Sequence, residues 1–231
     1  MLNFAEWEAV RLSLLVAFVA VFASLPFAVT VGWILAKRTF PGKFLVETVI
    51  NLPLVLPPVV TGYLLLVIFG RQGLLGSILE NVFGIRFVFN WKGAALASAI
   101  VAFPLLVRPI RLAFSAIDNR LIQAARTLGA GPFDAFWSIM LPLARPGILS
   151  GSILAFARSM GEFGATIMIA GNIPGQTRTV PLLIYSLLDA PNGVEQSFRL
   201  VLASVTIAAA ALLVGEFLER RGRLRLQGAT T

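Results

Sequence analysis

The stretch Asp118-Asn119-Arg120-Leu121-Ile122-Gln123-Ala124-Ala125-Arg126-Thr127-Leu128-Gly129-Ala130-Gly131-Pro132, continued to Ile139-Met140-Leu141-Pro142, is a polar interval between two long apolar segments. Wound as a helix, its Leu121, Ile122, Ala125 and Leu128 form one apolar stripe, with Arg120, Gln123 and Arg126 elsewhere on the surface. Asp118 or Asn119 can cap the start, Gly129 can take the left-handed conformation that ends it, and Pro132 suits the first turn of a new helix. The pattern predicts a short amphipathic helix, a glycine turn and another helix. What lies on either side reads as membrane.

Of the 231 residues, 58% are hydrophobic and 13% charged, and the mean hydropathy is +0.87, well outside the range of ordinary soluble domains. Apolar runs near the spanning threshold of roughly 20 residues recur along the chain. They predict an all-α polytopic protein with a single transmembrane domain over residues 1–231. There is no cysteine and no histidine, which removes disulfides, thiol nucleophiles, imidazole bases and the commonest zinc and haem ligands. The acidic residues are scattered. A membrane enzyme would need them clustered, so no catalytic residue, no metal site and no cofactor bound by this chain is expected. The net charge of +8 would suggest nucleic acid in a soluble protein. Here the basic residues sit at the ends of apolar segments, and no basic stripe carries interleaved aromatics. The lipid bilayer is the expected partner, and nucleic acid is not.

In chain order, Leu12 to Ala36 reads as the first span, with a kink at Pro26. It is too long for a signal-peptide core, and its N-terminal flank carries Glu6 and Glu8 with no Lys or Arg among residues 1–10. Phe44 to Phe69 is the second span. Pro53, Pro57 and Pro58 cannot share one straight helix, so the backbone is expected to unwind near Leu56-Pro57-Pro58. At membrane depth such a break survives only where protein or a water-filled path satisfies the freed backbone groups. It is either a pathway element or a packing kink. Gly70 to Lys92 reads as a loop with a short helix near Ser77 to Val82, and Gly93 to Phe114 as the third span. The polar interval fills about residues 115–146. Gly147 to Ala170 is the fourth span, in which Gly147 and Gly151 permit close helix approach. Gly171 to Gln196 is a second loop whose apolar run, Leu182 to Leu188, is too short to cross. Ser197 to Phe217 is the fifth span.

About five spans, with six as the alternative count, put the N-terminus outside and the C-terminus inside. Lys37, Arg38, Lys43, Arg108, Arg111, Arg120, Arg126, Arg145, Arg220, Arg221, Arg223 and Arg225 then face inward. Only Arg11, Arg71, Arg86, Lys92, Arg178 and Arg199 face outward, and Arg158 lies within a span. This asymmetry has the sense that the positive-inside tendency requires, and it places the polar interval in the cytoplasm.

Gln123-Ala124-Ala125, Arg126, Gly129 and Ile139-x-Leu141-Pro142 resemble the EAA motif of permease subunits in binding-protein-dependent ABC importers. Gln123 stands where many members carry Glu. The resemblance extends further, through Phe40-Pro41-Gly42-Lys43, Leu52 to Val60, Ala155 to Thr166 and Gly171-Asn172-Ile173-Pro174-Gly175-Gln176-Thr177-Arg178-Thr179. These segments look like the molybdate permeases, with sulfate/thiosulfate permeases as the near alternative. The resemblance implies an ABC importer permease fold in a prokaryotic inner membrane. It also implies a homodimeric pore, two ATP-binding ABC subunits on the cytoplasmic face and an external oxyanion-binding protein. Molybdate, or tungstate on the same protein, would be the cargo.

For a dianion, import against an inside-negative potential costs about 2.3 kcal/mol per charge per 100 mV. Energy must therefore be coupled in, yet the chain has no G-x-x-x-x-G-K-[ST] phosphate loop. The helix from Asn119 to Leu128 is the expected handle for a separate ATPase, a feature that a stand-alone channel would not need. Arg158 and Glu162, four residues apart within the fourth span, can pair on one helix face. They form either a structural ion pair or a site where Arg158 attracts the anion. Pro57, Pro58, Thr61, Ser159, Thr166 and Asn172 are the other candidate pathway residues.

Overall fold

The computed structural model describes residues 3–227, with side chains as far as Phe217. All regular structure among them is helical: α1 (Phe4–Lys37), α2 (Lys43–Val55), α3 (Pro58–Phe69), α4 (Leu74–Phe83), α5 (Trp91–Ala116), α6 (Asn119–Thr127), α7 (Pro132–Ala135), a π-helical turn at Phe136–Met140, α8 (Leu141–Met160), α9 (Gly164–Ala170), α10 (Val180–Leu188) and α11 (Gly193–Gln227).

Helix α5 is the hub. Its 26 residues rise about 39 Å, more than the roughly 30 Å hydrocarbon core. Helix α1 lies parallel to it: Val16 packs near Ala94 and Ala97 at the start of α5, and Leu35 joins Phe114 and Ile117 at its end. Helix α8 runs antiparallel. A Cβ on Gly151 would sit 2.7 Å from the Leu106 carbonyl oxygen, and one on Gly147 2.5 Å from that of Pro109. The two glycines read as close-approach positions are therefore where the backbones meet. Leu106, Ile110 and Phe114 are buried completely in this three-helix seam.

Four helical segments among the described residues are long and apolar enough to cross: Phe4–Lys37, Trp91–Ala116, Pro132–Met160 and Gly193–Phe217. The pair α2–α3, bent by 115°, brings the count to five when it is taken as one broken span. Glu47 and Asn51 of α2 contact Arg111 and Arg108 near the end of α5. Phe69 of α3 meets Phe87 edge-on, just before α5 begins. The pair thus runs antiparallel to α5 and reaches both of its ends. The expected unwinding falls at Leu56-Pro57, where Pro58 starts α3 without needing an N–H partner.

The fourth span departs from its expected limits. Gly147 to Ala170 is not one helix: the crossing helix begins at Pro132, runs through the π-turn and stops at Met160. Gly161 and Gly164 weaken the helix there, and α9 starts afresh beyond them. At its other end, Pro142 and Pro146 lack the N–H that an α-helical ladder needs, and the turn just before them widens to π. Helix α4 extends the short helix expected near Ser77 to both sides. Helix α10, too short to span, packs through Val180 and Leu183 against Ala9, Val10 and Leu200. Its first N–H donates to Ser13 Oγ at 2.8 Å.

Gly151→Leu should lower the thermal unfolding midpoint of the detergent-purified protein. Overpacking of this kind costs about 1–3 kcal/mol, and here the obstacle is backbone. An unchanged midpoint would contradict the α5–α8 seam.

Candidate functional site

Two helix interruptions meet inside the membrane domain. One is Leu56-Pro57, between α2 and α3; the other is Gly161-Glu162-Phe163, between α8 and α9. A Cβ on Gly164 would lie 2.9 Å from Pro58 Cβ, and one on Gly62 2.7 Å from the backbone of Ala165. Only glycine lets the two chains approach so closely. Pro57, Pro58, Thr61, Glu162 and Thr166 are thereby gathered into one region.

Glu162 holds this junction together. Its side chain is 1% exposed. Oε1 accepts the Ala165 N–H at 2.9 Å, closing the first turn of α9. Oε2 lies 2.8 Å from Arg158 Nη1 but out of hydrogen-bond alignment. The expected pair is therefore present, but not on one helix face: Glu162 sits past the end of α8, and the turn bonded from Glu162 N–H to the Ser159 carbonyl brings it back to Arg158. The Arg158 side chain is 31% exposed, and among the described residues its guanidinium makes no aligned hydrogen bond. It has donors to spare for an anion. Thr61 Oγ1 and Ser159 Oγ are buried without partners. Ser159 faces a small void shared with Ala20, Ser24 and Phe103, on the α1–α5 side. Asn172 is not part of the junction: its amide donates to Ser186 Oγ at 2.7 Å, and its oxygen accepts from Arg178 Nε at 2.9 Å. It fastens the following loop to α10. The close approach of Gly62 and Gly164 was not read from sequence, although a glycine next to each interruption was its trace.

At the far end of α5, the polar interval forms the predicted helix–turn–helix. Asp118 Oδ1 accepts the Arg120 N–H at 2.9 Å. Gly129 takes φ +94°, while Ala130 N–H returns to the Ala125 carbonyl at 3.0 Å, a C-terminal cap that needs the left-handed residue. No residue of α6 is buried. Its apolar stripe divides: Ile122 leans on the core, whereas Leu121 and Leu128 are 49% and 89% exposed, as are Phe133 at 75% and Trp137 at 54%. Gln123, Ala124 and Arg126 are exposed, and Ala125 and Ile139 half-buried. Leu141 and Pro142 open α8.

The hairpin is tied firmly to the spans. Lys37 Nζ, at the end of α1, donates to the Ile117 carbonyl at 2.7 Å and to Asn119 Oδ1 at 2.9 Å. Phe136 stacks on Phe114 and meets Trp33 edge-on. In the sequence Lys37 is a membrane-flanking charge; a lysine followed 80 residues later by its carbonyl partner carries no signal for the bond.

The fold is shared with a chain of the bacterial alginate ABC transporter, solved in complex with a periplasmic protein, with a TM-score of 0.74 at 16% identity, covering 95% of this chain and 80% of that one. Residues 28–223 match the family described as binding-protein-dependent transport system inner membrane component. The chain belongs to that family and is a multi-pass inner-membrane protein. It is 54% identical over 220 residues to the molybdenum transport system permease protein ModB of Escherichia coli K12, covering 95% of this chain and 96% of the relative. To ModB of Haemophilus influenzae it is 52% identical over 221 residues, covering 96% of each.

Glu162→Ala removes both the α9 cap and the Arg158 partner, so it should cost more than the ~1 kcal/mol of stability typical of a lost cap and lower the unfolding midpoint accordingly. Glu162→Gln keeps an acceptor for Ala165 and should cost less. Equal midpoints for the two variants would contradict the capping role.

Proposed function

We propose that this chain is the transmembrane pore subunit of an ATP-driven importer for molybdate, with tungstate accepted by the same path. Two copies form the pore, two ABC ATPase subunits bind the cytoplasmic face, and an external oxyanion-binding protein delivers the cargo. The chain needs no cofactor of its own. The observation that carries the reading is α6: capped at both ends, with no buried residue, and bonded through Lys37 to a span. A short exposed helix so mounted suits the groove of a partner and can pass on its displacement. The two ModB relatives support the choice of cargo. The positive-inside asymmetry supports an external N-terminus and a cytoplasmic α6.

In this mechanism, closure of the ATPase pair moves α6, and the rigid hairpin carries α1, α5 and α8 with it. The α2–α3 and α8–α9 interruptions are where the helices hinge as the pore alternates between its two openings. Arg158 meets the anion at the junction. Its partner Glu162 tempers that attraction, so that the cargo can leave.

Reconstitution in proteoliposomes with the ATPase and binding protein should give ATP-dependent molybdate uptake, competed by tungstate far better than by sulfate. Sulfate competing best would reassign the cargo, and uptake independent of the ATPase would leave a channel. Ala125→Glu and Gly129→Glu should abolish uptake and weaken co-purification of the ATPase; normal uptake by either would contradict α6 as the coupling helix. Arg158→Gln should assemble normally and lower uptake by about tenfold or more, the loss of a charge-assisted contact.

A further inference from the structure

The end of α5 opposite α6 carries a cleft of about 900 Å³ between the end of α3, α4 and the segment leading into α5. Its polar wall is Arg71, Glu80 and Arg86. Glu80 Oε1 lies 2.7 Å from Arg86 Nε and 3.5 Å from Arg71 Nη2, so one carboxylate serves two guanidiniums. The glutamate is the sheltered member at 22% exposure, while the arginine side chains are 73% and 62% exposed. The cleft therefore keeps a net positive charge, and that charge faces outward.

Its mouth carries a second feature. Phe89 holds φ +53°, a conformation that a bulky side chain adopts only under constraint, and its ring is 61% exposed. What holds it is the Phe89 N–H, which donates to the Ile169 carbonyl of α9 at 3.0 Å. Its ring edge also lies 3.2 Å from where a Cβ on Gly171 would stand. Backbone strain here presents an aromatic ring to solvent beside two half-neutralised arginines. Exposed aromatic and arginine side chains of this kind are the usual anchors of protein interfaces. The same backbone bond ties the cleft to α9, whose first turn is closed by Glu162.

We propose that this cleft is the docking site for an acidic segment of the external binding protein, with Arg71 and Arg86 supplying the charge and Phe89 the apolar anchor. The proposal rests on the importer reading, which puts α6 on the ATPase side and hence this cleft, a full span of α5 away, on the delivery side. Charge complementarity selects an acidic partner, and the Phe89–Ile169 bond passes docking on to α9 and the junction with α3.

The test uses the complete complex with its ATPase subunits in nanodiscs, titrated with the molybdate-loaded binding protein while ATP hydrolysis is followed. Stimulation of the wild-type complex establishes the importer reading on its own; no stimulation would remove that reading and the proposal with it. Given stimulation, the Arg71→Glu, Arg86→Glu double variant should raise the half-maximal binding-protein concentration by about tenfold, and the wild-type value should rise with salt far more than that of the variant. Arg71→Gln, which avoids a glutamate facing Glu80, should shift it less in the same direction, and Phe89→Ala should raise it severalfold. Lys92→Glu, an equal charge reversal outside the cleft, is the comparison. A half-maximal value within twofold of wild type for the double variant, or a shift as large in Lys92→Glu, overturns the proposal. A shift seen only in discs of anionic lipid overturns it too, since the arginines would then serve lipid headgroups.

Discussion

A bilayer offers nothing to an unpaired backbone amide, so a membrane helix that stops short must find its partners within the protein. Among the described residues, helices stop in this way at Leu56-Pro57 and at Gly161-Glu162-Phe163, and the two stops are packed against each other. Proline 58 removes one donor from the problem. The Glu162 carboxylate satisfies another, taking the Ala165 N–H at 2.9 Å. Glycines 62 and 164 then let the two chains close on one another. The side chain that completes the backbone bonding is also the counter-ion of Arg158, so the charge in the membrane and the break in the helix are one arrangement.

The rest of the molecule divides around that junction. Helices α1, α5 and α8 form a tight seam on one side, fixed by Gly147 and Gly151 and by the filled core around Ile110 and Phe114. At one end of the seam, the α6 hairpin is bolted on through Lys37 and the Trp33–Phe136–Phe114 ring cluster. At the other, Phe89 links the cleft beside Glu80 to α9. Static bonds thus fasten both ends: Lys37 holds the hairpin to α1, and the Phe89 N–H holds the cleft to Ile169 of α9.

Much of this was legible in the residues. The caps of α6 were readable because Asp118 and Gly129 act locally, within a turn of the bonds they make. The prolines announced the α2–α3 break, since a missing N–H is a property of the residue itself. The α8–α9 break was not readable. Its long apolar run, Gly147 to Ala170, has the length of a span, and glycines are tolerated within membrane helices. In the structure, the local cap from the Ala165 N–H to Glu162 Oε1 marks where the helix restarts. The ion pair was foreseen for the wrong reason: a four-residue spacing suggests a helix face, whereas here a turn delivers the same contact. Asn172, expected beside the other pathway candidates, is bonded instead to Arg178 and to Ser186 of α10, partners that no local pattern announces. Long-range fastenings such as Lys37 to Ile117 leave no local pattern.

The central claim is that the junction of the two broken helices lines the path of the anion. The chain contains no cysteine, so a single Thr61→Cys substitution gives a clean probe of a hydroxyl position that is buried at 5% exposure in this conformation. In the reconstituted importer, a water-soluble thiol reagent should modify this cysteine at a rate that changes with the nucleotide on the ATPase, and molybdate should slow the reaction. A cysteine unreactive in every nucleotide state, or one that reacts at a rate indifferent to molybdate, would place the path elsewhere.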